Sequence, residues 1–480
     1  MRIFNLQLKK FIINNWNKII YKVSQPNDNF ITHILVALIL IPLLVLTGGS
    51  ALYTPDSGAY LLNARELNVP GDRSIFYSVF IHYVSKFLEL FHQPHIIEIL
   101  LIQSLVAYLI IYAFLENFFQ NKNVWFVFLS FSLICLFTPL PWLFIQLMPD
   151  LYTSIAFFSA LLFLRSKEIS STIFLGLLLV FCLVMHTSNV LLFFLFSGGT
   201  FVLRKKIAVF EFIEKRFLQL FVTSIVAILC IVGTNVYTYK KYTLGSASHV
   251  FLMGKLSENG VLKKYLDKYC GKEPNALCAY KDKLPDHGWD FVWESDGAFA
   301  HSGGWNHSDT LYKKIIAKTI TDPELLSANI VAAIKATANQ FVLTGAGDGM
   351  GKVDTMGTLA VEMKQYYPHD YRRLVTVSKQ QKEEIDFSTY NKWYKILQWL
   401  IIFSALVIVV KMKNKLHTTL YVLSFYYALC NAFVTGALVN VLARLNTKGI
   451  IVFVAIGILI IIDTVQIALE KRVKKNEHTL

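Results

Sequence analysis

Residues 449–469 read GIIVFVAIGILIIIDTVQIAL, 21 consecutive positions with a single ionisable side chain, Asp463. A helix of that length crosses the roughly 30 Å hydrocarbon core of a bilayer, where every backbone amide must be satisfied within the segment. Nine further apolar runs accompany it, at 32–50, 96–117, 124–140, 149–165, 171–186, 188–203, 218–238, 394–410 and 417–438. The chain therefore reads as an all-α polytopic membrane protein with about ten transmembrane helices. Hydrophobic residues make up 55% and charged residues only 16%, which excludes a soluble or disordered chain.

The formal charge of +14 would suit a nucleic-acid partner if the chain were soluble. Here the basic residues flank the apolar runs, as in the cytoplasmic loops of membrane proteins. With both termini inside, the short inward segments hold 20 Lys and Arg and the short outward loops hold 5. The bilayer replaces nucleic acid as the expected partner.

The organisation follows from the orientation. Residues 1–31, with Lys9, Lys10, Lys18 and Lys22 among Ile, Phe and Trp, read as an amphipathic segment on the cytoplasmic surface. A membrane domain at 32–238 includes a first outward loop at 51–95, in which 76–92 is apolar on one face and reads as an interfacial helix. An extracytoplasmic insertion of mixed helical and irregular structure fills 239–393, followed by C-terminal transmembrane helices at 394–469 and a basic cytoplasmic tail at 470–480. Within the insertion, Asp322-Pro323-Glu324 begins a helix expected to run to about Val342 with Thr321 as its cap, and the glycine-rich GAGDGMG at 345–351 reads as a flexible loop. Cys270 and Cys278, eight residues apart in an oxidising compartment, are a disulfide candidate, and no close CxxC or HxxxH supplies the further ligands a zinc site needs. A bacterial inner membrane fits these signs; in an endoplasmic reticulum, Asn306-His307-Ser308 would be a glycosylation site.

Chemistry is expected at the outward edge. The loop ALYTPDSGAYLLNARELNVPGDRSI at 51–75 concentrates Asp56, Tyr60, Arg65, Asp72 and Arg73. Asp150 follows Pro149 at the outward end of another span, so its carboxylate meets the same interface, although Pro-Asp also simply favours a helix start. Two carboxylates on one cavity with arginines nearby would suit proton abstraction from a hydroxyl beside a phosphate. His186, at the tip of a hairpin, faces the same side and reads either as a loop contact or as a substrate contact. Asp463 lies too far inward for this site and calls for an interhelix partner or the cytoplasmic interface. In the insertion, Asp296, His301, His307 and Asp309, with Trp293 and Trp305, read as a polar surface loop with metal or sugar contacts as the alternative.

The order of Asp56, Tyr60, Ala64-Arg65-Glu66-Leu67, Gly71 and Tyr77, with a later Asp150 and with Arg444 before the last span, resembles the GT-C superfamily of polyprenyl-phosphate-dependent glycosyltransferases. That group contains the protein O-mannosyltransferases and the lipid A aminoarabinose transferases. The resemblance covers roughly the first 200 residues and the final spans. It departs at Ser57, where the group has a second acid, and at Ser74-Ile75-Phe76, where it has paired prolines.

The resemblance implies a membrane enzyme that transfers a sugar, with inversion, from a polyprenyl-phosphate donor to an acceptor whose identity the sequence leaves open. It implies Asp56 as the catalytic base, with Asp150 orienting the acceptor or sharing a divalent cation with Asp56. Arg65, Arg73 and Arg444 are implied at the phosphate, and Tyr60 and Tyr77 elsewhere in the substrate site. Two other classes remain open: a transporter or flippase of lipid-linked glycans, and a non-enzymatic protein of envelope biogenesis.

Overall fold

The computed structural model of the protein describes residues 43–119, 124–207 and 212–477. Its regular structure is helical, and among the described residues the only β pairing is one isolated bridge, Leu52 to Gln146. The first half carries α1 (Pro55–Glu66), α2 (Phe76–Leu88), α3 (Ile96–Phe118), α4 (Val124–Phe137), α5 (Asp150–Arg165), α6 (Ile169–Val184), α7 (Thr187–Ile207) and α8 (Glu214–Tyr239). A run of shorter helices includes α9 (Ser248–Glu258), α10 (Val261–Tyr269), α11 (Asp309–Thr321), α12 (Pro323–Val342), α13 (Thr358–Tyr366) and α14 (Pro368–Thr376). Three long helices close the chain: α15 (Phe387–Met412), α16 (Lys415–Leu438) and α17 (Ala443–Glu477).

Six helices are long and apolar enough to cross a membrane, namely α3, α7, α8, α15, α16 and α17, while α4 and α6 are apolar but shorter. The other apolar runs fall short for local reasons. Pro139 and Pro141 break the run at 124–140, which stops at Phe137 and resumes as the short turn Leu140–Phe144. The run at 149–165 becomes α5, whose residues from Asp150 to Leu164 are all buried. Ser154, Ala156, Ser159 and Ala160 keep that helix slim, and α3, α6, α8 and α17 close around it. The N-terminal segment 1–31 and most of the run at 32–50 lie outside the described residues.

Several expectations about elements are met and others are corrected. The helix at 76–92 forms as α2, with Tyr77, Ser78, Ile81 and Ser85 buried at helical spacing and Tyr83 and Phe87 left exposed. Asp463 finds an interhelix partner, its Oδ2 lying 2.8 Å from His417 Nε2 of α16. Cys270 and Cys278 are disulfide-bonded. The cap of α12 is Asp322 rather than Thr321: the Thr321 hydroxyl donates back to the Ala317 carbonyl, while Asp322 accepts the backbone N–H groups of Glu324 and Leu325.

The glycine-rich stretch is not a loose loop. The Gly345 N–H donates to Thr447, Asn391 brackets Ala346 through both of its backbone groups, and Asp348 accepts the Arg444 N–H at 3.0 Å. Gly347 sits at φ +96° against Phe387, where a Cβ would meet the ring at 2.5 Å.

Two cores are present. The larger joins the long helices with α1 to α6, and the smaller gathers Val250, Leu262, Leu266, Phe291, Tyr312 and Leu325 within the segment between α8 and α15. α12 connects the two, since it packs along α16 with the Ala336 carbonyl against Gly436.

Candidate functional site

Helix α1 begins where the chain is anchored on both sides. The Leu52 backbone bonds the segment around Gln146, and Ser57 Oγ donates to the Leu147 carbonyl while accepting the Thr54 N–H. Pro55 fills the first turn, so Asp56 emerges at the positive end of the helix. Gly58 lets α1 approach α13 closely, because a Cβ there would lie 2.6 Å from the Leu359 nitrogen.

Asp56 stands between two guanidiniums. Its Oδ1 is 3.2 Å from Arg73 Nη1 and its Oδ2 is 3.4 Å from Arg444 Nη2, and the side chain remains 34% exposed. Arg73 is itself held by Asp72 and lies over the Tyr60 ring at 5.2 Å. Burial raises the Tyr60 phenol far above its ordinary range, so it stays protonated beneath that guanidinium. Arg444 is fixed through its backbone by Asp348, and its Nε is buried without a hydrogen-bond partner among the described residues.

Asp56 and Arg444 open onto a cleft of about 1270 Å³. Its floor comprises Pro55, Asp56, Asp348, Gly349 and the turn Asn440–Leu442 before α17. From α12 the cleft is lined by Ala328, Val331, Ala332 and Ala336 together with Glu324, Ser327, Lys335 and Asn339, and Lys255, Glu258, Lys264, Trp289 and Asp290 line it from the segment between α8 and α15. The lining carries Lys255, Lys264, Lys335 and Arg444 against Asp56, Glu258, Asp290, Glu324 and Asp348.

Asp150 does not line this cleft. Its side chain is 2% exposed, Oδ1 is 3.2 Å from Lys448 Nζ, and Oδ2 has no hydrogen-bond partner among the described residues. Lys448 is fully buried and also donates to Ser188 Oγ at 3.3 Å, while Ser188 Oγ is 2.8 Å from His186 Nδ1. Asp150 nonetheless interacts electrostatically with Arg444, and His186 with Arg444 and Arg73. The two aspartates thus share one charged neighbourhood, but only Asp56 reaches open space. Each carboxylate holds side-chain cations, Arg73 and Arg444 at Asp56 and Lys448 at Asp150.

The remaining candidates separate. Tyr77 is fully buried, donates to Gln103 at 3.1 Å and supports Tyr60 edge-on at 5.0 Å, so it stands behind the site and not in it. Arg65, expected at a phosphate, does not line the cleft and bonds Glu362 and Glu66. Asp296 pairs with His301 at the surface and Asp309 binds Lys241 and Lys313, all outside the cleft lining.

Sequence reasoning missed Lys448, Asp348 and Trp289. Only Lys448 carried a local signal, as a lone cation at the mouth of a long apolar run. Family models, curated proteins and solved structures yield no match to the chain.

Proposed function

We propose that the protein is a membrane glycosyltransferase that moves a sugar from a polyprenyl-phosphate donor to an acceptor hydroxyl, with inversion at the anomeric carbon. The observation that supports this reading is the partly exposed Asp56 carboxylate, clamped by Arg73 and Arg444 beside a cleft of about 1270 Å³ that has both apolar and charged side chains in its lining.

In this reading the donor phosphate is held by the same guanidiniums. Each has five N–H donors in a planar fork, and in Arg444 only Nη2 is taken by Asp56. The acceptor oxygen attacks the anomeric carbon, the bond from that carbon to the phosphate oxygen breaks, and the acceptor proton passes to Asp56. The polyprenyl phosphate leaves with the electron pair, and the two arginines stabilise its charge. The Asp150–Lys448 pair lies behind Arg444 and fixes the field around it.

The reading needs the chain to sit in a membrane, which the six helices long and apolar enough to cross one support. With the termini inside a bacterial inner membrane, the cleft opens outward, where lipid-linked sugars meet their acceptors.

The test is Asp56→Asn in membrane vesicles supplied with lipid-linked sugars, followed by release of free polyprenyl phosphate. The expected loss is about 10²- to 10⁴-fold. Unchanged release would remove Asp56 as the base and this reading with it.

A further inference from the structure

We propose that His95, His369 and Asp370 form a binding site for a divalent transition-metal ion of the zinc type. The site lies outside the cleft and does not depend on the activity proposed above. One ring nitrogen from each histidine and a carboxylate oxygen of Asp370 lie within 4.8 Å of one another. Ligands at about 2.0–2.2 Å from a tetrahedral ion are roughly 3.3 Å apart, so small side-chain rotations close the triad.

The three residues come from two segments that the fold brings together. His95 immediately precedes α3, and its backbone N–H is held by Glu98. His369 and Asp370 lie in the first turn of α14, and Asp370 Oδ2 reaches both the Ile96 N–H at 3.2 Å and His95 Nδ1 at 3.4 Å. The two imidazoles meet edge-on with centroids 4.6 Å apart. His92 stands nearby but is engaged by Glu98, so the fourth position is left to water.

Charge supplies a second argument. Asp370 is buried, and no lysine or arginine lies within ion-pair distance of it among the described residues. A buried carboxylate that is met by His95 and by the Ile96 N–H but by no lysine or arginine lacks a permanent cation, and a metal ion would supply one. Two nitrogens and one oxygen select a first-row transition ion over Mg²⁺ or Ca²⁺, which take oxygen ligands.

The bound ion would pin α14 to the start of α3. Arg373 of α14 donates to the Gly49 carbonyl, and α13, directly before α14, packs on α1. Metal occupancy therefore steadies the block against which the Asp56 helix rests.

The experiment uses the full chain in detergent, purified without a polyhistidine tag and stripped with a chelator. It is titrated with Zn²⁺ against a chromophoric competitor and with Co²⁺ for its visible absorption. One zinc ion per chain is expected, with a rise in melting temperature that Mg²⁺ does not reproduce. His369→Gln, at an exposed position, should weaken zinc binding about a hundredfold or more while leaving the metal-free melting temperature unchanged. Asp370→Asn serves as a second variant that keeps the side-chain shape. Zinc binding that is absent, or equal in the wild type and both variants, overturns the proposal.

Discussion

Removing the ammonium of Lys448 would leave the Asp150 carboxylate, 2% exposed, without its bonded partner. Breaking a buried pair from one side costs about 3–5 kcal/mol, whereas replacing both partners with apolar side chains is often neutral. Lys448→Met should therefore lower the melting temperature in detergent sharply, and the double variant Lys448→Met/Asp150→Leu should recover most of the loss. Equal melting temperatures for the single variant and the wild type would show that the pair is not buried as described. At this scale the sequence was legible in part. Asp56 was singled out because it stands in the short polar outward loop that follows the first apolar run. Lys448 could not be assigned to Asp150, because 298 residues separate them and no local pattern records which charges meet. Arg65 misled for the converse reason: it is close to Asp56 along the chain, but it sits at the far end of α1, where Glu362 claims it.

Among the elements, α12 tests how a helix end is secured. Asp322 accepts two backbone N–H groups of its own helix, the Tyr269 hydroxyl at 2.6 Å and Lys268 at 2.9 Å. The hydrogen bonds from Tyr269 and Lys268 hold its carboxyl well below the usual carboxylate range. A carboxyl lowered in the folded state contributes stability that is complete above its unfolded value of about 3.9 and is lost as pH falls through the folded value. Acid unfolding of the wild type should therefore steepen below about pH 4, and Asp322→Ala should be less stable at neutral pH with a flatter acid limb. Parallel curves for the two proteins would refute this assignment. The helix was visible in advance from Asp-Pro-Glu and its apolar periodicity. Its cap was misplaced by one residue because Thr321 is taken up by the last turn of α11. The glycine stretch was legible as a loop, but not the neighbours Phe387, Asn391 and Thr447 that give it shape.

At the scale of the molecule, two cores predict two thresholds of unfolding. Cys270 and Cys278 close a short loop in the smaller one, and a cross-link over so few residues contributes about 2–3 kcal/mol. The variant Cys270→Ser/Cys278→Ser should admit protease between residues 248 and 325 at a temperature where α15 to α17 still resist. Simultaneous digestion of both regions would show a single cooperative unit. The long helices were legible because bilayer thickness dictates the length of an apolar run, whereas the burial of α5 on every side was not, since its sequence resembles that of a lipid-facing span. The last helix joins what the chain otherwise keeps apart. α17 is one unbroken rod of 35 residues that bears Arg444 at the cleft, Lys448 one turn further on, and Asp463 about 28 Å from Arg444. If the proposed donor phosphate shifts Arg444, the continuity of this helix leads a fluorescent or spin reporter beside His417 to register that shift from the opposite end.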